Sequence, residues 1–137
     1  EKGFGIWSAE FTQGYTPGMT GMDRWIDWKK EQFIGQAAAI KERDGNGPAQ
    51  KLVMLEIDAD DADASGYEPV WNNDSLVGFV TSGGYGHSLK KSLAMALVNN
   101  DLANENQRLK VHVVGVEKDA TVIQASPYDP EGKVMRV

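Results

Sequence analysis

The sequence predicts a mainly β fold with one helix, in which an antiparallel barrel or sandwich follows an α-helix. About six short strand-like runs lie between Lys51 and Ala125, and glycine or polar turns separate them at close spacing. The one long helical pattern, Lys30–Arg43, comes before all of them. Many short strands joined by glycine-containing turns are typical of antiparallel barrels and sandwiches.

The helix is predicted over Lys30–Arg43 because Phe33, Ala37 and Ile40 fall on one helical face. The alanines in this run are strong helix formers, and the glycines that follow Asp44 are stop signals. In the preceding stretch, Gly21–Lys30, the apolar residues fit helical spacing and a short strand about equally well.

The first predicted strand is Lys51–Ile57, which is apolar on both faces. Four aspartates follow within Asp58–Asp63, but the glycine and glutamate that a calcium loop needs are not at the required positions. We therefore interpret this run as a solvated acidic loop. Tyr67–Trp71 is predicted to be an edge or bent strand because it contains Pro69.

Val77–Val98 is predicted to be a pair of antiparallel strands. Val77–Ser82 alternates as a strand does, and three glycines within Gly83–Gly86 indicate a sharp reversal. A polar turn over Ser88–Lys91 then leads into a second strand, although helix propensity alone would also allow a helix there. Farther along, Leu109–Val116 and Thr121–Ala125 predict a hairpin that turns at residues 117–119.

Composition excludes several classes of function. The 137 residues are 41% hydrophobic and 25% charged, which describes a globular domain with a sizeable core. A net charge of −6 argues against nucleic acid or an anionic membrane surface as the partner. No run of apolar residues is long enough to span a membrane. With no cysteine and only two histidines, we expect no disulfide and no metal site.

Three stretches resemble the aminomethyltransferase family, which includes the glycine cleavage T-protein and the folate-binding halves of dimethylglycine and sarcosine dehydrogenases. Val77–Val98 (VGFVTSGGYGHSLKKSLAMALV) is similar to the signature near the C-terminus of that family. The beginning of the chain, Glu1-Lys2-Gly3-Phe4, and the ending Tyr128-Asp129-Pro130 resemble the dimethylglycine dehydrogenase group. The chain departs from the family at Met19, where the family has a glutamate.

The resemblance implies a distorted, jelly-roll-like six-stranded barrel. Residues 1–28 would be the tail end of the preceding folate-binding subdomain, residues 29–47 a connecting helix and turn, and residues 48–137 the C-terminal barrel. Because the chain begins without methionine and runs directly into patterned sequence, we expect a fragment of a longer polypeptide. We also expect an exposed apolar face on the side of residues 4–28, where the upstream domains would pack.

The resemblance further implies that the parent polypeptide captures a one-carbon unit on tetrahydrofolate, with FAD in the upstream domain. No nucleophile–base pair or carboxylate dyad is evident here, so the catalytic residues are expected upstream and this piece alone is expected to be inactive. Two alternatives stay open: a structural or oligomerisation module without a ligand, and a folate-dependent demethylase of a sulfonium substrate. The expected compartment is the cytoplasm, or the mitochondrial matrix in a eukaryote, and homo-oligomerisation is left open.

Three residues are candidates for folate contact. The indole of Trp25 can stack on a planar heteroaromatic ring, although tryptophans are more often core residues. The guanidinium of Arg24 is suited to a carboxylate of the ligand, with a surface ion pair to Asp23 or Asp27 as the alternative. Tyr67 lies beside a glycine in a loop for which we consider a position facing a cleft, and a capping or turn role is the alternative for it.

Overall fold

The computed structural model describes residues 1–136. Two helices come first, α1 (Pro17–Thr20) and α2 (Gln36–Asp44), with a 3₁₀ turn at Asp23–Trp25 between them. The helices are followed by six strands, β1 (Gln50–Ile57), β2 (Pro69–Asn72), β3 (Ser75–Gly86), β4 (Lys91–Asn99), β5 (Arg108–Val113) and β6 (Val116–Ile123). Two further 3₁₀ turns lie at Asn100–Leu102 and Val134–Arg136. Val137, the last residue of the predicted barrel segment, lies outside the described residues.

The six strands form a closed antiparallel barrel in the order β1-β4-β3-β2-β5-β6, which confirms the six-stranded antiparallel barrel. Closure gives every strand a hydrogen-bonded neighbour on each side, so none of these strands is an edge strand. Two register shifts, at Val70/Trp71 in β2 and Val80/Ser82 in β3, distort the barrel. Pro69 is the first residue of β2, where its missing N–H is tolerated. Because β2 has a neighbour on each side, the predicted edge strand is wrong, and the alternative of a bent strand stays a prediction.

Alternate residues of the strands fill the interior of the barrel. Leu55, Val70, Val80, Val98 and Val111 are fully buried in one cluster, to which every strand contributes. Strand β1 is also covered on its outer side, where Leu52 and Met54 lie under the N-terminal segment. This double coverage explains why Lys51–Ile57 is apolar on both faces.

The glycine-rich stretch is part of a strand, and the predicted reversal at Gly83–Gly86 is wrong. Strand β3 continues to Gly86, and the polypeptide turns at residues 87–90 before β4 begins at Lys91. The glycines are needed for close approach rather than for turning: a Cβ on Gly83 would overlap the carbonyl oxygen of Ala64. The polar turn and the strand after it were predicted within about one residue of their observed positions, and the helical alternative is excluded.

The last hairpin turns at Val114-Gly115, so the predicted turn at residues 117–119 is wrong. Glu117 pairs with His112 and Asp119 with Lys110 inside the β5–β6 ladder. Both turn residues have positive φ, 50° for Val114 and 79° for Gly115, as a two-residue type I′ turn requires. Valine is a poor residue for this conformation because its branched Cβ crowds the backbone.

Replacing Val114 by asparagine is therefore expected to stabilise the protein by about 1 kcal/mol. Asparagine tolerates the left-handed conformation, and Asn-Gly is the preferred pair for this turn. The exposed valine side chain contributes little packing that the change would remove. Chemical denaturation of both proteins measures the effect, and a Val114→Ile variant should be no more stable than the parent. Equal or lower stability of Val114→Asn would contradict the assigned turn.

The main helix is shorter than predicted, starting at Gln36 rather than Lys30. Gly35 has a φ of 84°, in the left-handed region, so the helix can begin only after it. None of its residues is buried, and Ala37 and Ile40, predicted to lie on a packed face, are exposed. The short helix α1 was not predicted, although Thr16 caps its N-terminus and Gly21 its C-terminus.

Candidate ligand cleft

The N-terminal segment lies across the outside of the barrel and is fastened to it at its first two residues. The carboxylate of Glu1 accepts hydrogen bonds from the backbone N–H groups of Ser88 (2.7 Å) and Leu89 (3.0 Å) in the β3–β4 turn. The ammonium of Lys2 pairs with the carboxylate of Asp129 at 3.3 Å. The beginning of the chain therefore joins the β3–β4 turn to the C-terminal segment.

Both carboxylates of this junction have a pKa below the ordinary value. For Glu1 the main cause is the hydrogen bond from the Leu89 amide, since such bonds favour the charged form. For Asp129, burial is the largest single effect and acts to raise the pKa. The amides of Lys133 and Val134, together with the Lys2 ammonium, outweigh it. Both carboxyl groups are therefore ionised at neutral pH.

The fully buried side chain of Glu10 is a second point that attaches the N-terminal segment to the barrel. Its Oε1 accepts a hydrogen bond from the hydroxyl of Ser82 (2.7 Å), and its Oε2 accepts one from the backbone N–H of Ile6 (2.6 Å). No cation pairs with this carboxylate among the described residues. The sequence interpretation missed Glu10. Its position in Ala9-Glu10-Phe11, an acid between two apolar residues, was the available signal.

A cleft opens between the N-terminal segment, the 3₁₀ turn Asp23–Trp25 and the C-terminal segment; we call it the Trp25 cleft. It consists of two adjoining depressions of about 300 and 590 Å³, which share Gly3, Phe4, Arg24 and Ala125. The inner depression reaches Met54 and Met95 on the outer face of the barrel. The outer one is lined by Trp25, Met135 and Arg136.

Trp25 is 74% exposed, so the core role weighed for it from the sequence is wrong. The guanidinium of Arg24 lies over its indole ring, 5.6 Å from the ring centroid. Arg24 makes no ion pair within residues 1–136, and neither does Arg136 across the outer depression. The alternative that Arg24 pairs with Asp23 or Asp27 is thus wrong. A flat aromatic ring, an apolar interior and two unpaired cations suit a planar ligand that carries an acidic group.

The structure does not bring Tyr67 to this cleft. The ring of Tyr67 is 88% exposed and stacks on Phe79, with ring centroids 6.4 Å apart. Its neighbour Glu68 accepts a hydrogen bond from the N–H of Val114 (2.7 Å), which places Tyr67 near the β5–β6 turn. Of the three candidates, Arg24 and Trp25 lie together and Tyr67 lies elsewhere.

The acidic run after β1 is exposed at all four aspartates, Asp58, Asp60, Asp61 and Asp63, as predicted. Asp61 pairs with Lys118 at 2.9 Å, and Asp63 accepts a hydrogen bond from Ser92 at 2.7 Å. Among residues 1–136, no three acidic or histidine side chains are grouped as metal ligands. No helix within the same residues has the length and apolar character needed to span a membrane.

The apolar side chains of the N-terminal segment face outward. Phe4, Ile6 and Trp7 are 70%, 53% and 80% exposed. This confirms the predicted exposed apolar face on the side of residues 4–28. Exposed apolar clusters of this kind mark interaction surfaces.

Residues 50–129 match the family described as the glycine cleavage T-protein C-terminal barrel domain. The chain belongs to this family. It is 35% identical over 124 residues to the mitochondrial dimethylglycine dehydrogenase of Rattus norvegicus, covering 90% of this chain and 14% of that protein. It is 31% identical over 134 residues to an aminomethyltransferase of Synechocystis sp., covering 97% of this chain and 36% of that protein.

The glycine cleavage system aminomethyltransferase T from Bartonella henselae has the same fold. Its crystal structure superimposes with a TM-score of 0.81 at 23% identity, covering 90% of this chain and 35% of that one. The chain therefore spans about a seventh of the dimethylglycine dehydrogenase and about a third of the aminomethyltransferases. In these relatives a barrel of this family is one part of a larger protein.

Proposed function

We propose that this chain is the C-terminal part of a tetrahydrofolate-dependent enzyme, in which it forms one wall of the folate cleft. The dimethylglycine dehydrogenase group is the proposed setting, since relatives of that name are 35% identical. In that setting an upstream FAD domain oxidises an N-methyl amine, and the folate half captures the one-carbon unit.

The observation that carries this proposal is the pairing of Trp25 with Arg24 at the mouth of the Trp25 cleft. Folate joins a flat pterin and an aminobenzoyl ring to a glutamate. An exposed indole offers a stacking surface for either ring. The guanidinium of Arg24, which has no ion pair within residues 1–136, suits the carboxylates of the glutamate.

The contribution of this chain to the chemistry is positioning and exclusion of water. Phe4, Met54 and Met95 line the inner depression with apolar surface. Water would hydrolyse the reactive iminium. Such a wall would exclude water until the folate nitrogen attacks the iminium. The chain provides no nucleophile–base pair in the cleft, so proton transfer is assigned to the upstream domains.

Replacing Trp25 by alanine in the parent polypeptide is expected to weaken tetrahydrofolate binding about tenfold or more, because stacking on an aromatic side chain contributes about 1–3 kcal/mol. The melting temperature should not change, since the indole is exposed. Titration with tetrahydrofolate, monitored by equilibrium dialysis, measures the affinity.

Tyr67→Ala is the matched control, because Tyr67 is also a largely exposed aromatic residue but lies outside the cleft. It should leave the affinity unchanged. Unchanged affinity in Trp25→Ala, or an equal loss in both variants, would contradict the assigned cleft. An absence of folate binding by the parent polypeptide itself would favour the structural module, to which the exposed apolar face also points.

A further inference from the structure

A second cavity lies on the outer face of the barrel and shares Met54 and Met95 with the inner depression of the Trp25 cleft. It has a volume of about 270 Å³, and Gly84 of β3 forms part of its wall. A Cβ added to Gly84 would meet no atom within 4 Å, so the missing side chain leaves open space. We call this depression the Gly84 cavity.

The cavity offers a partner a mainly apolar surface. Its lining includes Ile6, Met54, Leu93 and Met95, together with glycines of β3. It has three polar side chains. Tyr85 is 47% exposed, so its hydroxyl can stay in contact with water, and the other two are engaged within the chain. The hydroxyl of Ser82 donates to Glu10, and the carboxylate of Glu1 accepts from two backbone amides. An occupant therefore needs no hydrogen-bonding group of its own, and a large apolar side chain fits best.

The rim of the cavity extends this apolar surface. The exposed side chain of Ile6 lines it, and Trp7, the next residue along the chain, is the most exposed tryptophan of the N-terminal segment. The buried Glu10 holds the Ile6 amide, which fixes this rim relative to β3. A rigid apolar depression with exposed aromatic surroundings has the features of a protein docking site.

We propose that the Gly84 cavity receives an apolar side chain from the upstream domains of the same polypeptide. This inference rests on the proposed function, in which the chain is the C-terminal part of a longer protein. The match covers only 14% of the dimethylglycine dehydrogenase and 36% of the aminomethyltransferase, so most of each relative lies outside it. Because Glu1 lines the cavity, a polypeptide that precedes it would pass the cavity edge. A second copy of the chain is disfavoured, since each copy carries a net charge of −6.

Gly84→Leu tests the proposal because it fills the cavity from within. In the 137-residue chain the variant should melt at the parent temperature, since the added side chain enters open space. In the longer polypeptide, amide exchange of the Ile6–Phe11 segment should be about tenfold faster in the variant than in the wild type. Ser75→Leu introduces the same leucine side chain at an exposed position of the same strand, away from the cavity, and should leave exchange unchanged.

Three outcomes would overturn the proposal. The first is wild-type exchange in the longer Gly84→Leu polypeptide. The second is a loss of stability in the 137-residue variant, because the cavity would then not be open. The third is a dimer of the 137-residue chain that Gly84→Leu dissociates, which would make a second copy the occupant. Because no folate enters this experiment, its failure is distinguishable from a failure of folate binding.

Discussion

Gly78→Ala is expected to destabilise the barrel by about 3 kcal/mol or more, one of the largest effects of any single substitution in this chain. Gly78 is buried in β3, between Val70 of β2 and Val98 of β4. A Cβ at this position would overlap the carbonyl oxygen of Leu97 and lie 2.9 Å from the Cα of Val98. The closed barrel leaves β4 little freedom to move away, because β1 holds its other side.

Gly84→Ala is the matched control, since it makes the same change in the same strand where the added Cβ meets open space. It should alter the free energy of unfolding by less than about 0.5 kcal/mol. Urea denaturation of both variants measures the two free energies of unfolding. If the two substitutions had equal effects, the close packing of β3 against β4 described here would be incorrect.

Glu10→Ala is expected to cost about 3 kcal/mol of stability, because it leaves the Ser82 hydroxyl and the Ile6 N–H without partners. A buried polar group left unpaired costs about 1–3 kcal/mol. Glu10→Gln should cost less than Glu10→Ala. The amide oxygen of glutamine can still accept from the Ile6 N–H, and the Ser82 hydroxyl can turn to accept from its amide nitrogen.

A double-mutant cycle that combines Glu10→Ala with Ser82→Ala isolates the free energy of the contact between the two side chains. The two side chains should be coupled by about 1–2 kcal/mol, as expected for groups in one hydrogen-bond network. Glu31→Ala, at an exposed glutamate, controls for loss of a negative charge. Additive effects in the cycle, or a wild-type melting temperature for Glu10→Ala, would show that Glu10 does not hold the segment to β3.

The barrel was predictable because its strands carry their own signal. Lys51–Ile57 is apolar at every interior position, and the family signature covers β3 and β4. The two turns were misplaced for different reasons. Glycine has the same appearance in a sequence whether it bends the chain or admits a neighbouring carbonyl group, and only the position of Ala64 shows that Gly83 does the latter. The turn at Val114 was missed because a β-branched residue rarely occupies a type I′ turn.

The candidate site was predictable only in part. Arg24 and Trp25 are adjacent in sequence, so their proximity follows from the chain. The exposure of Trp25, however, depends on how the N-terminal and C-terminal segments pack around it. Arg136 lines the same cleft from more than a hundred residues away and carries no local signal. The burial of Glu10 likewise depends on Ser82, 72 residues later.

The measurement that tests the central claim most directly is amide exchange of the parent polypeptide with and without tetrahydrofolate. If this chain forms a wall of the folate cleft, the ligand should slow exchange at Asp23–Trp25 and at Val134–Arg136. The Val114-Gly115 turn, which lies outside the Trp25 cleft, should exchange as before. Protection confined to upstream domains, with none in either of the two segments, would contradict the account.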